Sequence, residues 1–311
     1  MNIGIKEIRA FIPEMRIDNV EQGQSVGAEA EFILGKIGMQ ALSRKLPEQD
    51  TSDLAVAAAQ SLFQQSQLNP LDVECLVLVT QNPDARGLPH TSAIVHQRLG
   101  LQSNCATFDI SLGCSGFVQG LAVVKAFMQS QGMRNGLLIT ADPYSKIIDP
   151  GDRDTALLFG DGACACWLSD HPVWRIGACD FGIQSAQSDA LRIQDSGHLY
   201  MNGRAVFNFA ATQVPASVRR VLSLAELSID DIDTVLLHQG SRYIVETLSK
   251  RIGAEGKVPF GAGNYGNTVS SSIPILMTNH LPSHASRLLL CGFGVGLSWA
   301  TCILEKNHDQ F

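Results

Sequence analysis

One arrangement of helix, turn and buried strand occurs twice in this sequence, about half the chain apart. The first copy reads AAAQSLFQQSQLNPLDVECLVLVTQ and the second reads ATQVPASVRRVLSLAELSIDDIDTVLLHQ, with matching turns that begin at Leu68 and Leu227. Late in each half, a glycine-rich turn leads into a closing strand. Two α/β units can resemble each other by chance, but the pattern predicts two similar halves, residues 1–170 and 171–311. We expect them to face each other across a pseudo-two-fold axis and to share one core.

Helices and short apolar runs alternate along the chain. Apolar residues at helical spacing predict a helix over residues 51–68, with Thr51 or Ser52 as its N-cap. Residues 75–80 form an apolar run that is typical of a strand buried on both faces. Similar patterns predict helices at 90–100 and 115–132 and strands at 105–111, 136–142 and 163–170. The alternation favours a layered α/β fold with a largely parallel central sheet.

Charge and hydropathy argue against several classes of protein. The chain has 30 acidic and 23 basic residues, a net charge of −7 and no basic tract, which argues against a nucleic-acid partner. No apolar run reaches the roughly 18–20 residues that a membrane span needs. Lys6 and Glu7 lie where a secretory leader needs its apolar core. The eight Cys residues are scattered, several within apolar runs, which predicts reduced thiols and a cytoplasmic location.

Cys114 is the first candidate for chemistry. In DISLGCSGFVQG it lies between a predicted strand and the first turn of a predicted helix. Free N–H groups and the helix dipole favour a thiolate at such a place, and Gly113 and Gly116 leave room for a substrate. The alternative is a buried apolar cysteine, which is our interpretation of the other seven.

Two further candidates lie in the second half of the chain. His238 ends the strand of TVLLHQG, and the carboxyl ends of buried strands face the crevice where α/β proteins bind ligands. Asn267 lies in the glycine-rich loop GAGNYGNTVSSSIP, where a neutral amide can donate a hydrogen bond to a carbonyl oxygen without acting as a base. Taken alone, each is also compatible with a structural role. The predicted repeat places Cys114 and His238 at strand ends of different halves, which could meet at their interface.

The segment CGFGVGLSW (residues 291–299) lacks the G-x-G-x-x-G spacing of a dinucleotide-binding loop. Its backbone N–H groups suit an oxyanion hole instead. His280 and His284 are spaced like metal ligands on a helix, but Pro282 lies between them and no third ligand is evident. We therefore expect no zinc site.

With Cys114, His238 and Asn267 in this order, the sequence resembles the 3-oxoacyl-[acyl carrier protein] synthase III family. The resemblance covers nearly the whole chain, and its most specific parts are the Cys motif and the G-N-T-x-x-x-S-I-P segment. It implies a thiolase-like five-layered αβαβα fold built from two duplicated halves, and a homodimer or a heterodimer with a homologue. The motifs that carry it are AFIPEMRIDN, TSDLAVAAA, DISLGCSGF, DRDTALLFGDGA, MNGRAVF, LLHQ, YGNTVSSSIP and GFGVGLSW.

The resemblance also implies a mechanism without a metal or redox cofactor. Cys114 would attack an acyl thioester, carried by coenzyme A or acyl carrier protein, and hold the acyl group covalently. His238 and Asn267 would hydrogen-bond the thioester carbonyl of a malonyl-type extender as it loses CO₂. The backbone N–H groups of Cys114 and Val295 would bind the oxyanion. Acyl transfer followed by condensation predicts ping-pong kinetics and a 3-oxoacyl product.

At the entrance the sequence departs from the family pattern. Typical members carry a Trp and an Arg that sandwich the coenzyme A adenine, and here Phe32 and Lys36 stand at those places. A phenyl ring still stacks on a base, but Lys lacks the planar guanidinium. The resemblance further implies that Arg153 binds substrate. We therefore expect weak coenzyme A binding, or a donor carried on acyl carrier protein.

The sequence also departs from the family pattern just after His238 and at the expected dimer contact. Gln239, an expected substrate-binding residue, begins Gln-Gly-Ser where the family usually has Gln-Ala-Asn. Arg242 lies one place before the position of the family's carrier-docking Arg, which Tyr243 occupies. Leu88 stands where a Phe often closes the partner's acyl pocket. Its smaller size predicts a longer or branched primer and suggests a member of specialised metabolism rather than the starter of fatty-acid synthesis.

Two other functions remain open at this point. The same acyl-cysteine chemistry can transfer the acyl group to an oxygen or nitrogen nucleophile, which a lack of CO₂ release would reveal. A catalytically silent subunit that supports an active homologue belongs to another class. The complete set of Cys, His and Asn argues against silence.

Overall fold

The structure is a computed structural model that describes residues 2–307. In these residues the strands are β1 (Gly4–Phe11), β2 (Arg16–Asp18), β3 (Ala41–Ser43), β4 (Cys75–Val79), β5 (Ala106–Ile110), β6 (Asn135–Ala141), β7 (Ala163–Ser169), β8 (Trp174–Ile183), β9 (Leu191–Ile193), β10 (Leu199–Met201), β11 (Thr234–Leu237), β12 (Arg287–Gly294) and β13 (Ser298–Lys306). The α-helices are α1 (Asn19–Ser25), α2 (Ala30–Phe32), α3 (Thr51–Gln65), α4 (Thr91–Leu99), α5 (Gly116–Gln131), α6 (Arg153–Ala156), α7 (Gly203–Leu224), α8 (Arg242–Ile252) and α9 (Ser272–Asn279).

Nine strands form one sheet in the order β11-β12-β13-β8-β1-β7-β6-β4-β5. Antiparallel pairing of β1 with β8, through Gly4 with Arg175 and Ile5 with Trp174, joins its two halves. Outward from this contact, both halves repeat the same pairings. β1–β7 and β8–β13 are antiparallel, β7–β6 and β13–β12 are antiparallel, and β6–β4 and β12–β11 are parallel. The repeated strand order is the pseudo-symmetry that the sequence repeat predicts.

The prediction of a largely parallel sheet is wrong. Antiparallel pairs join β1 to β7 and β8, β6 to β7, and β13 to β8 and β12, whereas only the pairs β4–β5, β4–β6 and β11–β12 are parallel among the nine strands. The connection Val295–Leu297 between β12 and β13 is too short for a crossover, so these strands pair antiparallel. An apolar run alone does not reveal the direction of its neighbours.

Helices pack in three layers around the two sheet halves. Helices α3 and α4 cover one outer face, against β1, β4, β5, β6 and β7, and α7 covers the other, against α8, β8, β12 and β13. Between the halves lie α5, which contacts β4, β6, β8, β12 and β13, and α9, which contacts β1, β7, β11 and β12. The central core includes Phe117 and Leu121 of α5 and Ile273 and Leu276 of α9. The architecture is therefore the predicted five-layered αβαβα arrangement.

Local predictions hold with small corrections. The N-cap of helix α3 is Asp50, which forms a capping box with Asp53. The prediction of Thr51 or Ser52 as the N-cap is therefore wrong. Helices α4 and α5 end at Gly100 and Gly132, both in the left-handed conformation that glycine adopts without strain. A division of the chain between residues 170 and 171 falls between β7 and β8 and stays a prediction.

Candidate active site

A cavity of about 630 Å³ contains all three candidate side chains. Cys114, His238 and Asn267 line it together, although they come from the turn before α5, the end of β11 and the loop before α9. The cavity opens toward an entrance that includes Phe32 and Arg153. Residues that are distant in the sequence therefore converge in one pocket.

Cys114 lies at the start of α5, with only 5% of its surface exposed. The backbone N–H groups of Val295 and of Cys114 itself hydrogen-bond its sulfur. The approach of β12 requires glycine: a Cβ on Gly294 would lie 2.6 Å from the Cys114 sulfur, and one on Gly292 would lie 2.5 Å from its carbonyl oxygen. The glycine-rich segment thus brings a second N–H donor beside the thiol, as an oxyanion hole requires.

Burial keeps the thiol of Cys114 protonated near neutral pH. Burial raises its pKa to about 12, and the Asp142 carboxyl raises it further, against the lowering effect of the two N–H groups. The raised pKa contradicts the prediction of a thiolate stabilised by the helix dipole. Burial is invisible in the local sequence, and it disfavours the charged form more than the helix terminus favours it.

Asp142 connects three segments behind the nucleophile. It accepts hydrogen bonds from the backbone N–H of Gln81 at 2.6 Å and from the Ser270 hydroxyl at 2.6 Å. It is fully buried, which raises its pKa to about 6. Its hydrogen bonds hold the end of β4 and the segment after Asn267 against the end of β6.

His238 follows β11 and is 3% exposed. Its Nδ1 lies 2.8 Å from the hydroxyl oxygen of Ser272, and its ring meets Phe293 edge-on, with 5.5 Å between centroids. A hydroxyl can donate or accept, so Ser272 accommodates either tautomer. Burial lowers the pKa of His238 to about 3, against the raising effect of a hydrogen bond to the Val269 backbone. The imidazole is therefore neutral near pH 7.

The amide of Asn267 is held in one orientation. Its Oδ1 accepts from the backbone N–H of Val269 at 2.9 Å, which leaves the Nδ2 protons available as donors. Its own backbone N–H donates to the Leu158 carbonyl at 2.8 Å, and its carbonyl accepts from Gly160 at 2.9 Å. Val269 has a φ of 52°, a conformation that is costly for a β-branched residue. The loop is therefore fixed by its neighbours, which keeps the donor in position.

The entrance carries two pairs of a cation with an aromatic ring. The guanidinium of Arg153 lies 5.2 Å from the ring centre of Phe32, and the Lys36 ammonium lies 4.7 Å from that of Tyr243. Tyr243 in turn stacks on Phe207, with 5.5 Å between centroids. The expectation that Lys36 is the cation opposite Phe32 is thus wrong, because Arg153 takes that place and restores a planar guanidinium.

Three other expected substrate contacts lie outside the cavity lining. Gln239 is fully buried; its Nε2 donates to the Leu237 carbonyl and its Oε1 accepts from the Gly261 N–H, both at 2.9 Å, so it is corrected to a structural role. The Arg242 guanidinium lies 4.6 Å from the Phe260 ring centre, away from the lining. Leu88 is 86% exposed, and its role across a dimer contact stays a prediction.

Sequence reasoning missed the aromatic walls of the cavity. Tyr144, Phe159 and Phe293 line it near Cys114, and Phe207 and Tyr243 line it near the entrance. Tyr144 comes three residues after the end of β6, so its position at a carboxyl strand end is the signal that could have revealed it. Aromatic residues are also common in cores, so an aromatic residue after a strand does not by itself indicate a cavity wall.

Within residues 2–307, no three side chains of His, Cys, Asp or Glu are arranged to hold a metal ion. No helix there combines the length and apolar character needed to cross a bilayer.

Comparisons with known proteins identify one family. Residues 108–185 match the family model described as 3-Oxoacyl-[acyl-carrier-protein (ACP)] synthase III, and residues 222–306 match the model of its C-terminal part. A beta-ketoacyl-[acyl-carrier-protein] synthase III of Staphylococcus epidermidis is 34% identical over 312 residues, covering 98% of this chain and 99% of the relative. One of Levilactobacillus brevis is 34% identical over 325 residues, covering 98% of each.

A solved structure supports the same assignment. The 3-oxoacyl-(acyl-carrier protein) synthase of Burkholderia xenovorans superposes with a TM-score of 0.93 at 29% identity, covering 99% of this chain and 95% of that one. The fold, the two family models and the full-length relatives lead to one assignment: the chain belongs to the 3-oxoacyl-[acyl carrier protein] synthase III family, enzymes with the thiolase fold.

Proposed function

We propose that this enzyme loads an acyl group on Cys114 and condenses it with a malonyl thioester. The observation that carries the proposal is the meeting of Cys114, His238 and Asn267 in one cavity, with two backbone N–H groups at the sulfur. In the first step the sulfur attacks the thioester carbonyl of an acyl donor, which is carried by coenzyme A or acyl carrier protein. The C–S bond of the donor breaks, and the departing thiolate takes up the thiol proton of Cys114.

In the second step the malonyl carboxylate leaves as CO₂, and its bonding electron pair becomes the enolate of the thioester. His238, as its Nε2–H tautomer, and Nδ2 of Asn267 donate hydrogen bonds to the enolate oxygen. The enolate carbon attacks the acyl-cysteine, and the N–H groups of Cys114 and Val295 bind the resulting oxyanion. Collapse expels the cysteine thiolate, which takes one proton from water, and releases the 3-oxoacyl thioester.

The neutral side chains favour condensation over acyl transfer to a hydroxyl or amine. An oxygen or nitrogen nucleophile must lose a proton to a base, and a carboxamide cannot accept one. Burial of His238 lowers its pKa to about 3, which makes it a weak base as well. Loss of CO₂ generates a carbon nucleophile without any base, so hydrogen-bond donors are sufficient.

The test follows both half-reactions on the wild-type protein. Intact-protein mass spectrometry with acetyl-coenzyme A should show a single acetyl adduct on Cys114. Addition of malonyl-acyl carrier protein should remove the adduct and release CO₂ and 3-oxoacyl product in equal amounts. Loss of the adduct to hydroxyl or amine acceptors without CO₂ would support the alternative transferase instead. A protein that forms no adduct with any acyl thioester would fit a silent subunit.

Phe32→Ala should raise KM for acyl-coenzyme A about tenfold and leave kcat unchanged, because stacking of a base on an aromatic ring contributes about 1–3 kcal/mol. Phe32 is 40% exposed and its ring lies 5.2 Å from the Arg153 guanidinium, so an adenine that stacks on Phe32 lies beside this cation. Initial rates of acyl loading at varied donor concentration measure the effect.

The matched control for Phe32 is Leu34→Ala. Leu34 is similarly exposed, at 43%, but does not line the cavity, so its KM should equal that of wild type. An acyl donor on acyl carrier protein, which has no adenine, should be insensitive to both changes. Equal effects of the two substitutions, or a loss confined to kcat, would contradict the stacking role.

A further inference from the structure

Two thiols lie opposite each other in the second half of the sheet. Cys179 of β8 and Cys302 of β13 are direct partners in the antiparallel register of these strands. Residues paired in this way have Cα atoms roughly 4.5–5.5 Å apart. A disulfide spans a Cα separation of roughly 4.4–6.8 Å. The backbone therefore already holds the two residues at a separation that a disulfide can bridge.

The two thiols also contact each other through their side chains. Their sulfurs share a hydrogen bond, which lowers the pKa of Cys179 and raises that of Cys302. Cys302 is therefore the donor and keeps its proton, while the sulfur of Cys179 is the acceptor. Cys302 is fully buried, whereas Cys179 is partly exposed. One sulfur is thus open to a small reagent, and the other lies directly behind it.

Lys125 of α5 places a positive charge beside this pair. Its Nζ donates to the Ile176 carbonyl at 2.6 Å, which fixes the ammonium against β8. From this position the ammonium lowers the pKa of both thiols. A cation next to a thiol stabilises the thiolate, which is the form that attacks an electrophile.

Six other thiols have the opposite shift. Burial raises the pKa of each of them: Cys75, Cys105, Cys114, Cys164, Cys166 and Cys291. Of the eight thiols, all within residues 2–307, Cys179 is the one whose pKa is lowered. The interpretation of Cys179 as an ordinary buried apolar cysteine is therefore wrong.

We propose that Cys179 and Cys302 are a peroxide-reactive pair, in which Cys179 is oxidised first and Cys302 then closes a disulfide. The Cys179 sulfur attacks one oxygen of hydrogen peroxide, the O–O bond breaks, and the departing hydroxide leaves as water with the Cys179 proton. Cys179 is then a sulfenic acid. The Cys302 sulfur attacks the Cys179 sulfur, the S–O bond breaks, and hydroxide leaves as a second water with the Cys302 proton. Two thiols are oxidised to one disulfide while one peroxide is reduced to two waters.

The test treats folded wild type with hydrogen peroxide, blocks the remaining thiols with N-ethylmaleimide and digests the protein without reduction. Chymotrypsin cleaves after Trp299, which separates Cys302 from Cys291. Mass spectrometry should find a peptide cross-linked between Cys179 and Cys302, about 2 Da lighter than the two reduced peptides together, and dithiothreitol should remove it. Neither thiol lines the cavity, so this result does not depend on the acyl chemistry of Cys114.

Two variants separate the roles of the two thiols. Cys302→Ala removes the thiol that closes the disulfide, so dimedone should capture a sulfenic acid on Cys179 at least about tenfold more than in wild type. Cys179→Ala should leave Cys302 unmodified, because the buried thiol keeps its proton. Thermal unfolding at the wild-type temperature shows that each variant is folded.

Cys75 and Cys105 are the matched control, because these thiols are also neighbours but both have a raised pKa. They should stay reduced. Free thiols at both Cys179 and Cys302, under conditions that oxidise glutathione completely, would overturn the inference. Cross-linking of Cys75 to Cys105 at an equal rate, or of Cys179 to Cys179 of a second chain, would overturn it as well.

Discussion

Cys114→Ala is expected to abolish acyl-enzyme formation, lowering the rate of acyl transfer by at least about 10⁴-fold, because no other group in the cavity can form the thioester. His238 is neutral and turned toward Ser272 at Nδ1, and Asn267 carries an unreactive amide. Intact-protein mass spectrometry with acetyl-coenzyme A should show one added acetyl group on wild type and none on the variant.

The matched control is Cys179→Ala. All eight thiols lie within residues 2–307, and Cys179 of β8 is the one that is partly exposed, so it is the most accessible competitor for an acyl donor. Removing it should leave the adduct unchanged in mass and rate. An adduct that persists on Cys114→Ala and disappears on Cys179→Ala would place the chemistry at the wrong thiol and refute the proposed mechanism.

The pKa of Cys114 gives the same prediction a pH dependence. Burial raises that pKa to about 12, so the folded thiol holds its proton throughout the working range of the enzyme. A group with a raised pKa contributes an ionised form only as the pH approaches that value. Alkylation of Cys114 in the empty enzyme should therefore accelerate with pH up to at least 9 without reaching a plateau. A plateau near neutral pH would mean that the helix terminus outweighs burial.

Local sequence patterns were sufficient to locate two of the three candidate side chains. Cys114 lies where a strand turns into a helix, and His238 lies at the end of an apolar strand, so both positions were visible from periodicity. Asn267 was different, because a glycine-rich loop has no period. The chemistry of its amide made it a candidate donor, but a turn-forming role was equally open until the resemblance was considered. The structure shows what orients the amide: the Val269 N–H occupies its oxygen.

The errors share a physical cause, which is that side-chain direction depends on tertiary structure. Gln239 is the neighbour of His238, and consecutive residues at a strand end point in opposite directions, so the placement of one in the cavity turns the other away. The family resemblance predicts Lys36 as the cation that faces Phe32. The cation that faces Phe32 is instead Arg153, which lies far along the chain. The Lys36 ammonium lies over the Tyr243 ring.

Asn267→Ala and His238→Ala are expected to stop condensation while sparing acylation. Each removes one donor to the enolate oxygen, and loss of one such donor costs about 10²–10³ in rate. Acetyl adducts on Cys114 should still form, whereas release of CO₂ from malonyl-acyl carrier protein should fall by that factor. Because both donors act on the same oxygen, the double variant should lose less than the product of the single losses.

The pH profile separates these donors from ionisable catalysts. The pKa of His238 is lowered to about 3, so the ring is neutral at every pH above that value, and Asn267 does not ionise. Between pH 5 and 8, neither residue should therefore add a titration step to the rate of CO₂ release. His280→Ala provides the control, since His280 is exposed and outside the cavity lining and should alter neither half-reaction. Two results together would refute the role of His238 as a neutral hydrogen-bond donor. Wild type would lose CO₂ release with a midpoint near pH 6.5, and His238→Ala would show a level profile. They would mean that the imidazole titrates during the reaction.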